Sequence, residues 1–101
     1  MSNKYTIIFL PEAENDLAEI YNFILKSSSS TKIAKKVIDK INEGILYLEG
    51  NPRIYPQSVN LDVRKCVVDN YIALYEIDDA NKKVIITYIF HGSRNYETHF
   101  N

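Results

Sequence analysis

The run VIITYIF, residues 84–90, constrains the fold of this chain more than any other feature. All of its residues are β-branched or aromatic, which is the composition that strands favour. A strand with one face in water alternates apolar and polar residues, whereas this run is apolar at nearly every position. The run is therefore predicted to be buried on both faces, and it needs a neighbouring strand on each side.

Three further segments of the chain are predicted to be its neighbours in a sheet. They are also rich in β-branched and aromatic residues and are followed by turn-forming residues: KYTIIFL (4–10), VRKCVV (63–68) and YIALYEI (71–77). Asp69 and Asn70 lie between the last two segments, and both residue types favour a hairpin turn. We expect residues 63–90 to form a three-stranded meander, with the strand 4–10 beside the strand 84–90.

Two helices are predicted between the first strand and the meander, over residues 11–26 and about 32–49. Apolar residues recur there at helical spacing: Ala13, Leu17, Ile20, Tyr21 and Ile24, then Ala34, Val37, Ile38, Ile41, Ile45 and Leu48. Pro11 suits the first turn of a helix, and SSSST (27–31) offers hydroxyl groups to cap the second helix. Gly44 lies inside the second helix, where we expect it to permit close packing.

The resulting order of elements is β-α-α-β-β-β. Two helices followed by three consecutive strands predict an α+β fold, with a two-helix hairpin on one face of a largely antiparallel four-stranded sheet. A chain of 101 residues fits a single domain, 1–101. Strand alternation places Tyr71, Ala73, Tyr75 and Ile77 on one face and aligns His91 with Ile85, Thr87 and Ile89.

The composition argues against several classes of function. A net charge of −1 and a pI near 6.1 disfavour a dedicated nucleic-acid binder, because neutralising phosphates requires an excess of lysine and arginine. Cys66 is the only cysteine, which excludes an internal disulfide and a multi-cysteine metal site, and its position predicts a small buried residue. His91 and His99 are eight residues apart and have no cysteine or third histidine nearby. We therefore expect no cofactor, no metal and no small-molecule substrate.

The hydropathy of the chain predicts a cytoplasmic protein without a membrane partner. No apolar run approaches the roughly 20 residues that span a bilayer. The first residues lead directly into a strand-like segment and lack the apolar region of a signal peptide.

Four residues are candidates for a functional site: Arg64, His91, Arg94 and Tyr96. An arginine just beyond a strand and beside a histidine could stabilise phosphate charge, and His91 or Tyr96 could move protons. Arg64 and Lys65 are adjacent in a strand, so they point to opposite faces of the sheet. Structural roles fit the same residues: a salt bridge for Arg64, a strand-end position for His91, and a clamp on the tail for Arg94.

Five stretches follow one another along nearly the whole chain: LPEAENDLAEIYNFI, LEGNPRIYP, VRKCVVDNYIALYEI, VIITYIFHG and SRNY. In this order they resemble the RelE/ParE toxin superfamily of bacterial type II toxin–antitoxin systems. The resemblance implies the same α+β fold that the hydropathy pattern predicts.

The superfamily has two functional branches. RelE-like members cut messenger RNA in the ribosomal A site with basic residues, sometimes helped by tyrosine or histidine, whereas ParE-like members lack most of that set and inhibit DNA gyrase. Arg64 and Arg94 match positions that are basic in many members. His91 and Tyr96 match positions that hold an acid/base residue or a stacking aromatic in several ribonucleases. Ile72 stands where RelE-like enzymes typically carry a phosphate-binding arginine.

The resemblance therefore implies a ParE-like toxin of a plasmid-stabilisation system, which inhibits DNA gyrase without hydrolytic chemistry. The HGSRN ending favours this branch, with Asn95 in place of the usual aspartate. The alternative is a metal-independent mRNA interferase that acts on the ribosome and its message through Arg64, His91, Arg94 and Tyr96. A second alternative is an inactive toxin kept for antitoxin binding. A cognate antitoxin is expected to bind exposed apolar residues around the helical pair and the sheet edge.

Overall fold

The computed structural model describes residues 4–59 and 63–92. Its elements follow the predicted order: β1 (Thr6–Phe9), α1 (Pro11–Ser28), α2 (Thr31–Leu46), β2 (Arg64–Val68), β3 (Tyr71–Asp78) and β4 (Lys83–His91). A short 3-10 turn, Tyr47–Glu49, follows α2. Both helices pack on one face of a four-stranded sheet, so the predicted α+β fold is confirmed.

β4 lies inside the sheet, as its apolar sequence predicts. The strand order is β1-β4-β3-β2. β1 runs parallel to β4, with Ile7 opposite Val84, whereas β3 is antiparallel to both β4 and β2. The parallel pair joins strands that are far apart in sequence, because parallel pairing requires a long connection between the two strands.

A β-bulge interrupts the alternation of side chains along β4. Two consecutive residues of β3, Leu74 and Tyr75, pair with Tyr88 and Ile86 respectively. Thr87 therefore has no residue directly opposite it. An extra residue of this kind shifts the alternation of all the residues that follow by one position.

The predicted alignment of His91 with Ile85 is therefore wrong. Beyond the bulge, Ile89 joins Val84 in the core, and His91 packs beside Tyr71 on the same helix-facing side of the sheet. Ile85 follows Val84 directly and so faces the other side. The bulge thus determines which side of the sheet the end of β4 presents to α1.

The helix ends largely follow the capping residues present in the sequence. Pro11 begins α1. The Ser30 Oγ accepts a hydrogen bond from the Ile33 amide at 3.2 Å and caps α2. α2 ends at Leu46 instead of continuing to Glu49, because the last predicted residues tighten into the 3-10 turn.

Gly44 brings α2 close to β2. A Cβ atom on Gly44 would overlap Cγ2 of Val68, so a larger residue there would force either the Val68 side chain or the helix to shift. The thiol of Cys66 is fully buried at the same interface, with its Sγ 3.8 Å from the Gly44 carbonyl oxygen. The predicted close packing at Gly44 and the predicted burial of Cys66 are both confirmed.

Candidate functional site

A groove lies on the helix-facing side of the sheet, where β4 ends and β3 begins. Its first cavity, of about 370 Å³, lies between α1 and β4 and is lined by Ile20, Phe23 and Ile89. Its second cavity, of about 380 Å³, lies between α2 and the β2–β3 turn and is lined by Val37. Tyr71 lines both cavities. We call these two cavities together the strand-end groove.

Tyr71 and Phe23 are the large aromatic residues of the strand-end groove. The Tyr71 ring meets the His91 ring edge-on, with centroids 5.3 Å apart and an interplanar angle of 83°. Burial raises the pKa of Tyr71, so its hydroxyl is neutral at physiological pH. The Phe23 side chain is 68% exposed. An exposed aromatic side chain beside an apolar cavity is suited to contact a partner.

Opposite charges border the two ends of the groove. Asp16 and Glu19 of α1 line the first cavity, and Lys36 and Lys40 of α2 line the second. The Asp16 carboxylate also accepts a hydrogen bond from the Ile89 amide at 2.9 Å, which fixes α1 on β4. Apolar surface with a charged rim is the arrangement of a protein–protein interface.

The structure does not bring together the predicted site residues Arg64 and His91. Arg64 is opposite Tyr75 of β3, and His91 is opposite Tyr71 of the same strand. These two rows are separated by about 13 Å along the strand, since a strand rises about 3.3 Å per residue. β2 and β4 also lie on opposite sides of β3.

Arg64 instead contacts the loop 51–59. Its Nη1 donates a hydrogen bond to the Tyr55 carbonyl oxygen at 2.7 Å. Arg94 and Tyr96, the other two predicted site residues, lie outside the described residues. Their roles remain predictions.

Other side chains also hold the loop 51–59 against the sheet. Three contacts share this role: the Tyr75 hydroxyl donates to the Pro52 carbonyl at 2.7 Å, the Tyr55 hydroxyl donates to the Val67 carbonyl at 3.3 Å, and Arg53 pairs with Asp79. Burial raises the pKa of Tyr75 to about 12 and that of Cys66 to about 11. Both groups are therefore neutral at physiological pH, which suits structural roles.

The strand-end groove has only a weak signal in the sequence. Phe23 lies outside the apolar stripe predicted for α1, and this displaced aromatic residue was the available signal. Lys36 and Lys40 give no signal of their own in the sequence, because lysines on one flank of a helix are usually a solvated face. Tyr71 was placed on the correct face of β3, but its position between two cavities depends on how both helices lie across the sheet.

Within residues 4–59 and 63–92, no group of three or more histidine, cysteine, aspartate or glutamate side chains is arranged to hold a metal ion. No helix in that part of the chain has both the length and the apolar character needed to cross a membrane.

Comparison with known proteins gives a match to one family. A family model described as the ParE toxin of the type II toxin–antitoxin system parDE matches residues 7–96. No curated protein sequence matches this chain.

Solved toxin–antitoxin structures contain chains of similar fold. A chain of the chromosomal ParDE system from P. aeruginosa matches with a TM-score of 0.75 and 19% identity, over 89% of this chain and 98% of that chain. A chain of the RelBE2 complex from Mycobacterium tuberculosis matches with a TM-score of 0.62 and 22% identity, over 87% and 91% of the two chains. A chain of the intact E. coli RelBE complex matches with a TM-score of 0.58 and 16% identity, over 89% and 99%. At these identities, the matches show a shared fold.

Proposed function

The chain belongs to the ParE toxin family of type II toxin–antitoxin systems, and from this premise we propose that it inhibits DNA gyrase and is neutralised by a cognate antitoxin. The observation that carries the proposal is the family match, which spans residues 7–96 and so includes the whole HGSRN ending, residues 91–95. A toxin of this kind serves plasmid stabilisation. Gyrase inhibition places its action in the cytoplasm.

The position of Arg64 supports gyrase inhibition over cleavage of messenger RNA. A ribonuclease needs its acid, its base and its phosphate-binding cation within hydrogen-bonding reach of one phosphate group. Arg64 is bonded to the Tyr55 carbonyl and lies on a different strand from His91, with β3 between them. This arrangement does not present Arg64 and His91 to a single phosphate.

The strand-end groove is the proposed binding site for the antitoxin. Phe23 and Tyr71 provide apolar surface there, and a helix or an extended segment of a partner would cover it. Similar folds occur in solved toxin–antitoxin complexes, which supports an antitoxin as the partner. Arg94, Tyr96 and His91 are proposed to contact gyrase.

A supercoiling assay with purified gyrase tests the proposed activity. The toxin should inhibit ATP-dependent supercoiling, and the antitoxin should restore it. Arg94→Ala should weaken inhibition by about tenfold or more. Arg53→Ala is the matched control, because Arg53 is an exposed arginine at the opposite end of the sheet from the groove, paired with Asp79. Absence of inhibition at any excess of folded toxin would overturn the proposal.

Two other results would identify the alternatives. Cleavage of ribosome-bound messenger RNA, lost in Arg94→Ala, would assign the protein to the RelE-like activity. Expression without toxicity, combined with tight antitoxin binding, would show an inactive toxin.

A further inference from the structure

We propose that the strand-end groove selects a partner segment whose two ends carry opposite charges. The acidic end of this segment would lie against α2 and its basic end against α1. The inference rests on the proposed antitoxin binding and specifies the chemistry of the bound segment. It follows from three observations: two apolar cavities, an aromatic residue between them, and rims of opposite charge.

The two cavities require a segment with two apolar anchors. Tyr71 lines both cavities, so one apolar side chain of the partner would lie on each side of the Tyr71 ring. The first anchor would contact Phe23 and Ile20, and the second would contact Val37. Filling both cavities covers the exposed face of Phe23 and removes its apolar surface from water.

The rim on α2 is suited to bind carboxylates. Lys36 has no hydrogen-bond or ion-pair partner among the described residues, and its ammonium group is available to a partner. Lys40 Nζ lies 3.0 Å from the Asp69 carboxylate, and both side chains are more than half exposed. A lysine ammonium group has three donors, so Lys40 retains donors for a second carboxylate.

The rim on α1 is suited to bind a cation. Asp16 and Glu19 are one helical turn apart on α1, and both line the first cavity. The Asp16 carboxylate already accepts a hydrogen bond from the Ile89 amide, so Glu19 is the residue of this rim that a partner's cation would contact. Among residues 4–59 and 63–92, Glu19 accepts a single, long hydrogen bond, at 3.3 Å, from the Asn15 side chain in a solvent-exposed position.

The two rims act together because packed helices are only about 8–10 Å apart between their axes. A segment lying across this distance would meet both rims at once. Its acidic residues would be attracted by Lys36 and Lys40, and its basic residues by Glu19. Turning the segment around would place like charges against each other, which electrostatic complementarity disfavours.

Charge reversal at each rim tests the proposal, with binding of the purified cognate antitoxin measured by titration calorimetry. The double variant Lys36→Glu, Lys40→Glu should weaken binding by about tenfold or more. Glu19→Lys should also weaken binding, and the triple variant should be weaker than either. The matched control is Lys32→Glu with Lys35→Glu, which makes the same change of charge on the same helix but away from both cavities. The control should bind within about threefold of the parent.

Three other results of these binding measurements would overturn the proposal, and each has a different meaning. Tighter binding of Glu19→Lys would show a uniformly acidic partner. Equal effects of the Lys36, Lys40 pair and the control pair would show that only overall charge matters. If Phe23→Ala weakens binding while no charge reversal does, the groove is used without charge selection. Failure of the parent toxin to bind antitoxin would instead contradict the proposed function itself.

Discussion

At one end of the sheet polar side chains hold the loop 51–59 against the strands, whereas at the other end Phe23 and Tyr71 border an open groove. We call the first region the closed end. There, the Tyr75 hydroxyl and the Arg64 guanidinium find acceptors in the chain's own backbone. At the groove, by contrast, aromatic surface stays in contact with water.

This difference separates stability from binding. Buried polar groups contribute to folding when their hydrogen bonds are made within the chain, as they are at the closed end. Exposed apolar surface gains free energy only when something covers it. The closed end should therefore dominate the free energy of unfolding, and the strand-end groove should dominate association with a partner.

Alanine substitutions at the two ends provide the strongest test of this separation. Tyr75 is fully buried, so Tyr75→Ala should lower the free energy of unfolding by about 3–5 kcal/mol. Phe23 is 68% exposed, so Phe23→Ala should change it by no more than about 0.5 kcal/mol. Urea denaturation followed by circular dichroism measures both changes.

Antitoxin binding should respond in the opposite sense. Phe23→Ala should weaken it by about tenfold or more, whereas Ile54→Ala should leave it unchanged. Ile54 is a suitable control because it is also an exposed apolar residue, at 51%, but lies in the loop at the closed end. Similar losses of binding from both substitutions would contradict a division between the two ends.

Alkaline pH should destabilise the protein through groups buried at or near the closed end. The pKa of Cys66 is raised from 9.0 to about 11, and that of Tyr75 from 10.0 to about 12, in both cases mainly by burial. Between these values each group ionises in the unfolded chain but stays neutral in the folded chain. The contribution of these two groups to stability should therefore be constant below about pH 9 and should be lost as the pH rises through these ranges.

Urea denaturation at about pH 8 and about pH 10.5 measures this fall. Cys66→Ala should remove the part of the decline that begins near pH 9, because that part belongs to the thiol. The part that begins near pH 10 should remain in this variant, since it belongs to the tyrosines whose pKa burial raises, with Tyr75 the most strongly shifted. Equal stability of the parent protein at the two pH values would contradict the burial of both groups.

The sequence was sufficient to predict the order of elements and the central position of β4. Continuous apolar residues at 84–90 require neighbours on both sides, and the structure provides β1 and β3. The hydroxyl groups before α2 likewise predicted its start, which Ser30 caps. These features depend on local composition and on the burial of a whole strand, both of which can be read from a linear sequence.

Features that depend on how separate elements meet could not be predicted in this way. The bulge at Thr87 leaves no signal in an apolar run, because every residue there fits a strand on either face. The bond from Arg64 to Tyr55 depends on the path of an irregular loop. The strand-end groove combines α1, α2 and two strands, so Phe23 appeared in the sequence only as an aromatic residue outside its helix stripe.

Arg64 is the residue for which the division between the closed end and the strand-end groove has the clearest functional consequence. If its role is to hold the loop at the closed end, Arg64→Met should lower the free energy of unfolding by about 1 kcal/mol, through loss of the hydrogen bond to Tyr55. The folded variant should inhibit gyrase as well as the parent protein. Denaturation and the supercoiling assay measure the two effects separately. Loss of inhibition at unchanged stability would make Arg64 a target contact, as the sequence alone allowed.

The smallest effect is expected for the ion pair at the surface of the closed end. Asp79 interacts with both Arg53 and the Tyr5 hydroxyl, and the hydrogen bond from Arg53 is the main cause that holds the pKa of Asp79 below its usual 3.8. Both charged groups are exposed to solvent, which screens their attraction. Arg53→Ala should therefore lower stability by less than Arg64→Met does.

The dependence on pH and salt of the stability difference between the parent protein and Arg53→Ala identifies the origin of that difference. A carboxylate with a lowered pKa stabilises the folded chain above the pKa of the unfolded chain, and this contribution is lost as the pH falls through the folded value. The gap in denaturation midpoint between the parent protein and Arg53→Ala should thus be present at neutral pH and absent at about pH 2. It should also shrink in about 1 M NaCl, where charges are strongly screened. A gap that persisted under both conditions would show that Arg53 holds the loop by packing instead of charge, and the closed end would then resemble the protein core more than its surface.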